Sequence, residues 1–133
     1  MESTATKHPL AAYRLDWDDA RGAVVFEKSG DWSKEDSIAC LAAFIPLVER
    51  SRARNGHALL LIDSTRTGAQ STDYMDAAKG ISGKFMREGD RVAIVVPSSV
   101  IKTQLTRIGS SYLTYSFFLS RSAAETWLFA HQI

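Results

Sequence analysis

The sequence predicts an α/β domain: a mixed five-stranded sheet, an N-terminal antiparallel hairpin followed by parallel strands, with helices packed on it in the order ββαβαβαβα. Three observations predict it. Tyr13, Leu15 and Trp17 alternate with Arg14 and Asp16, the period of a half-buried strand, and a turn and a second apolar run follow directly. Residues 58–62 and, after Arg91, residues 92–96 are apolar without alternation, as strands covered on both faces must be. Stretches of helical spacing separate the later strands, so these should run parallel through right-handed crossovers.

The elements follow in order. Residues 1–10 read as a flexible tail and 11–133 as one domain. After the first strand, Asp18, Asp19, Ala20, Arg21 and Gly22 form a turn, and residues 23–28, with Val24, Val25 and Phe26, make the second strand of a hairpin. Residues 30–32 close the hairpin. Ser33 opens a helix, with Asp36 three positions on as an acidic capping box. Ile38, Leu41, Ala42, Ile45 and Val48 give that helix an apolar face; Pro46 should kink or split it, and Asn55-Gly56 should end it. After the strand at 58–62, Asp63 ends the run and residues 64–70 read as a polar loop. Tyr74, Ala77, Ala78, Ile81 and Phe85 keep helical spacing, weakened by Gly80 and Gly83. Glu88-Gly89-Asp90 is a turn before the strand at 91–96, and Pro97 and Ser98 end that strand. Ile101, Leu105, Ile108 and Tyr112 mark another helix, and residues 114–119 a last, aromatic strand. Ser122 with Glu125 caps a final helix whose Ala124, Trp127 and Leu128 face inward.

The totals narrow the function. The 133 residues carry 16 basic and 15 acidic side chains, so the basic excess that neutralises nucleic-acid phosphates is missing. Arg50, Arg52 and Arg54 suit the last turn of a helix. A single cysteine, Cys40, excludes an internal disulfide and, among apolar neighbours, reads as a core residue. The polar first nine residues have no secretory h-region, and residues 112–119 are too short to span a bilayer, so the expected location is the cytoplasm. Asp16 to Gly22 has Arg21 where a calcium loop needs glycine, and reads as a turn. His8, His57 and His131 lack metal-ligand spacing, and no cofactor or nucleotide motif occurs.

The succession of an opening hairpin, G-D-W-S-K-E-D (30–36), L-L-L-I-D (59–63), R-V-A-I-V (91–95), Y-S-F-F (115–118) and A-A-E-T-W-L (123–128) resembles the SpoIIAA-like proteins within the STAS and Sec14-like fold group, over residues 12–131. The resemblance implies a mixed sheet with packed helices and a mostly uncharacterised function. Related anti-sigma-factor antagonists are phosphorylated on a Ser or Thr after the central strand and bind a kinase-like anti-sigma factor. Ser71 or Thr72 is the nearest positional match, and Asp63-Ser64-Thr65 is followed by Arg66 where their signature has Gly.

The segment after Ile62 lies at the carboxyl end of a central strand, where open α/β sheets bind ligands. It offers Asp63, Ser64, Thr65, Arg66, Ser71 and Thr72 as a candidate ligand, phosphorylation or partner loop. The plainer reading gives Ser71 or Thr72 a helix cap and Asp63 a turn. Phe85, Tyr112, Phe117 and Trp127 are candidates for an apolar pocket, although aromatics on such short elements commonly belong to the core. The reading is a non-enzymatic regulatory or protein-interaction module without cofactor or metal. The alternative is a carrier of a small apolar ligand or lipid. An enzyme would need Asp63, Ser64 and Arg66 to converge with His57 or Lys84. A protein partner, a homodimer and a small apolar ligand are the associations these readings admit.

Overall fold

The computed structural model describes residues 12–30, 32–67, 87–100, 102–103 and 115–130. Strands β1 (Ala12–Asp18) and β2 (Ala23–Gly30) form the expected antiparallel hairpin, paired from Ala12↔Ser29 to Asp18↔Ala23. Its turn closes with a bond from Gly22 N–H to the Asp18 carbonyl at 2.7 Å, and Gly22 has φ +67°. A Cβ there would lie 2.8 Å from Asn55 Nδ2 and 2.9 Å from Arg54 Cδ, so conformation and space both favour glycine.

Ser33 caps helix α1 (Lys34–Ala39) through the expected box. Its Oγ accepts from Asp36 N–H at 3.1 Å, and the Asp36 carboxylate accepts from Ser33 N–H at 2.9 Å. Helix α2 (Leu41–Asn55) follows after a break at Cys40 and ends on Gly56 at φ +83°. The break corrects the expectation for Pro46, which sits inside α2 without ending it. Pro46 and Ala42 are exposed, so water can reach the Ala42 carbonyl that a residue-46 N–H would have met. The break also changes the inward face. Cys40, Phe44, Val48 and Ser51 are buried, whereas Ile38 is 50% exposed and Ala42 is exposed. A spacing counted across two helices does not describe one face.

Strands β3 (Leu59–Thr67), β4 (Arg91–Val95) and β5 (Tyr115–Phe118) complete a sheet of order β1-β2-β3-β4-β5, parallel from β2 onward. Helix α3 (Arg121–Phe129) is capped by Ser120, whose Oγ accepts from Ala123 N–H at 3.1 Å. The expected cap, Ser122, lies inside the helix, and Glu125 bonds Arg121 instead of completing a box. The helix expected around Tyr74 to Phe85 lies outside the described residues. After Pro97 a helical turn opens, with Lys102 N–H bonded to the Ser98 carbonyl at 2.9 Å.

The sheet is buried on both faces. On one, Val24, Phe26, Leu60 and Val92 meet Trp32, Cys40, Phe44 and Val48. On the other, Leu59, Leu61, Ala93 and Val95 meet Ala124 and Leu128 of α3. This explains the unalternating run in β3, where every residue from 59 to 61 is buried. Burying each such leucine contributes about 1.5–3 kcal/mol.

Ser51 ties the layers together. Its fully buried hydroxyl donates to the Gly22 carbonyl at 2.5 Å and accepts from Leu59 N–H at 2.9 Å, linking the hairpin turn, α2 and β3. Ser51→Ala removes the acceptor of a buried N–H and should lower unfolding free energy by about 1–3 kcal/mol in urea. A loss below experimental error would show that another acceptor takes over.

Candidate functional site

The parallel strands end unevenly. β4 accompanies β3 only to Asp63↔Val95, whereas β3 continues beside β2 to Gly30↔Thr67. Four residues expected in a loop, Ser64 to Thr67, are therefore the overhanging end of a strand, because β2 supplies backbone partners that the polar side chains do not reveal. The register slips between Glu27↔Asp63 and Ser29↔Arg66, leaving Ser64 and Thr65 opposite Lys28 in a β-bulge. Asp63 shapes it: Oδ1 accepts from Thr65 N–H at 3.0 Å and from the Thr65 hydroxyl at 2.6 Å. The Thr67 hydroxyl donates to the Ser64 carbonyl at 2.7 Å. Thr65 and Arg66 are left exposed on the overhang.

Arg121, in the first turn of α3, crosses to the same strand ends. Its Nη1 is 2.8 Å from Glu27 Oε2 and 3.8 Å from Asp63 Oδ2, and its Nε is 3.2 Å from Glu125 Oε2. The bond from Glu27 raises the guanidinium's affinity for its proton; burial opposes this, and Glu125 adds to it. One cation thus faces three carboxylates. At 39% side-chain exposure the pairs orient α3 on the strand ends more than they stabilise the fold.

The structure brings Asp63, Ser64, Thr65 and Arg66 together on one strand end; Ser71 and Thr72 lie outside the described residues. Sequence reasoning missed Glu27, Arg121 and Glu125. The i,i+4 spacing of Arg121 and Glu125 was a usable signal, but Glu27 is 94 positions from Arg121 and only sheet order joins them. His57 precedes β3 and Asp63 lies six residues on, so the strand sets them roughly 20 Å apart. Lys84 is outside the described residues.

Of the four pocket candidates, the two among the described residues, Phe117 and Trp127, are not brought together. Phe118 packs on Trp127, ring centroids 5.7 Å apart, on the α3 face. Its neighbour Phe117, paired with Ile94, therefore points to the opposite face, and the sheet lies between Phe117 and Trp127. Phe85 and Tyr112 are outside the described residues. Trp127 is instead covered by the Arg91 guanidinium, 4.0 Å from its ring, which also donates to the Trp127 carbonyl at 2.7 Å. Cys40 is 4% exposed, and burial pushes its thiol up, which suits a core side chain. Among the described residues no group of three His, Cys, Asp or Glu side chains is placed to hold a metal, and no helix is long and apolar enough to cross a membrane.

The arrangement of hairpin, parallel strands and flanking helices has a solved counterpart. An uncharacterized DUF3478-family protein from Shewanella loihica PV-4 matches with a TM-score of 0.62 over 96% of this chain and 99% of that one. Its crystal structure has a SpoIIAA-like fold. The present chain has that fold too. At 21% identity the likeness concerns the fold alone, and the SpoIIAA-like architecture carries no activity with it. No protein-family model matches the chain, and no curated protein matches it.

Proposed function

We propose that this SpoIIAA-like domain is a non-enzymatic regulatory module that binds a protein partner through the carboxyl edge of its sheet. The observation that carries the reading is the overhang of β3 past β4, which presents Thr65 and Arg66 on a bulge held by Asp63. An extended segment with exposed polar side chains and backbone is suited to recognition by another chain. The available groups are engaged in shaping the edge: Asp63 by Thr65, and Arg121 by Glu27 and Glu125. The protein-partner reading is favoured over a carrier because the sheet separates Phe117 from Trp127, two of the four residues the carrier reading needs together.

The test is quantitative capture from host lysate with the wild-type chain, Thr65→Glu and Arg66→Glu. At least one specific partner should fall by roughly tenfold or more with each variant; Arg66→Glu should do so without a change in melting temperature, whereas Thr65→Glu also removes the hydroxyl bond to Asp63. Equal recovery of every partner by all three chains would refute the binding edge.

A further inference from the structure

We propose that β1 pairs with β1 of a second copy of this chain, antiparallel about a two-fold axis at Leu15, joining two five-stranded sheets into one. β1 ends the sheet, and among the described residues nothing pairs with its outer side. Seven residues is a long edge, and a long unpaired edge is a template for another strand.

The order of side chains selects the occupant. Outward from Leu15 the strand reads Arg14 against Asp16 and Tyr13 against Trp17. In antiparallel pairing about Leu15, each Arg14 stands opposite Asp16 of the other copy, and each Tyr13 opposite Trp17. Such partners share a face, because antiparallel pairing about a residue matches positions of equal parity. Moving the axis to Arg14 sets Arg14 against Arg14, and moving it to Asp16 sets Asp16 against Asp16. Like charges directly opposite one another disfavour both registers. A shift by one residue turns Tyr13, Leu15 and Trp17 away from their own face. Charges on an edge ordinarily guard it; these oppose the neighbouring registers and favour the one centred on Leu15.

The groups are available for the exchange. Arg14 Nε lies 2.9 Å from Asp16 Oδ2 of its own chain, with the side chains 73% and 46% exposed. Pairing between copies needs only a swing of two solvated side chains. Tyr13 is 45% exposed at the edge and would be covered by the second copy's Trp17. Ion pairs this exposed set register more than they add affinity.

Sedimentation equilibrium of the full chain tests the proposal. The wild type should reach twice the 14.7 kDa chain mass in a concentration-dependent manner. Arg14→Asp and Asp16→Arg each place like charges opposite one another twice, and each alone should weaken association roughly tenfold or more. An equimolar mixture of the two variants should dimerise again, because the acidic edge of one meets the basic edge of the other. The double exchange Arg14→Asp/Asp16→Arg should restore self-association in a single chain. Melting curves verify folding, which these exposed positions leave intact. A wild type that stays at 14.7 kDa at its highest soluble concentration overturns the proposal. Single variants that dimerise as the wild type does, or a mixture that stays monomeric, overturn it as well.

Discussion

Replacing Asp90 by Ala should lower the stability of the domain by about 3–5 kcal/mol, the usual cost of removing one member of a buried ion pair. Asp90 is 1% exposed and concentrates four bonds. Its Oδ2 lies 2.6 Å from Arg52 Nη2 and accepts from Arg87 N–H at 2.8 Å. Its Oδ1 accepts from Ala58 N–H at 2.7 Å and from Arg52 Nε at 3.3 Å. The substitution leaves a guanidinium that is only 15% exposed, and two backbone donors, without this acceptor. Asp90→Asn keeps the shape but turns amide hydrogens toward donors, so it should cost nearly as much. Single domains hold about 5–15 kcal/mol in all, so either change should be plain in urea unfolding.

The same residue gives a pH dependence. Burial pushes the Asp90 carboxyl up, but the bonds from Arg52, Ala58 and Arg87 outweigh it and hold the group below its ordinary 3.8. A carboxyl depressed in the folded state stabilises fully above its unfolded pKa and loses that contribution as pH falls through the folded value. The stability gap between wild type and Asp90→Asn should therefore hold near pH 7 and narrow below pH 3.8. A gap that does not change with pH would mean that geometry, not charge, accounts for the loss.

The second large effect is expected at α3. Leu128 and Ala124 are fully buried against Leu59, Leu61, Ala93 and Val95. Leu128→Ala should cost about 2–5 kcal/mol, the sum of lost transfer energy and the cavity left behind. The effect should reach the carboxyl end of β3, because α3 carries Arg121 to Glu27 and Asp63. Amide hydrogen exchange should rise along α3 and at the end of β3 before the centre of the sheet opens. Uniform acceleration throughout the domain would show that α3 does not open separately.

Much of the framework was legible because it depends on neighbours in the chain. Alternation in β1, the Ser33–Asp36 box, Gly56 after Asn55 and the turn before β4 are local, and the structure contains each. Residues 64–67 look like a loop because they are polar, yet β2 offers them backbone partners. Ser120, not Ser122, caps α3, and Glu125 bonds Arg121 four positions earlier. The inward face of α2 was misread across the break at Cys40. The first error turns on a strand partner distant in the chain, the other two on where a helix begins.

The sequence by itself determined the fold class, the strand directions and the segments that must be buried, since periodicity and turn chemistry act within a few residues of the chain. Only the tertiary structure decided that Glu27, Asp63 and Arg121 meet, that Arg52 and Asp90 close the opposite end, and that Phe117 and Trp127 are kept apart. Those outcomes depend on which strands become neighbours and which face each residue takes. Both are set when the sheet assembles, over separations that local pattern does not encode.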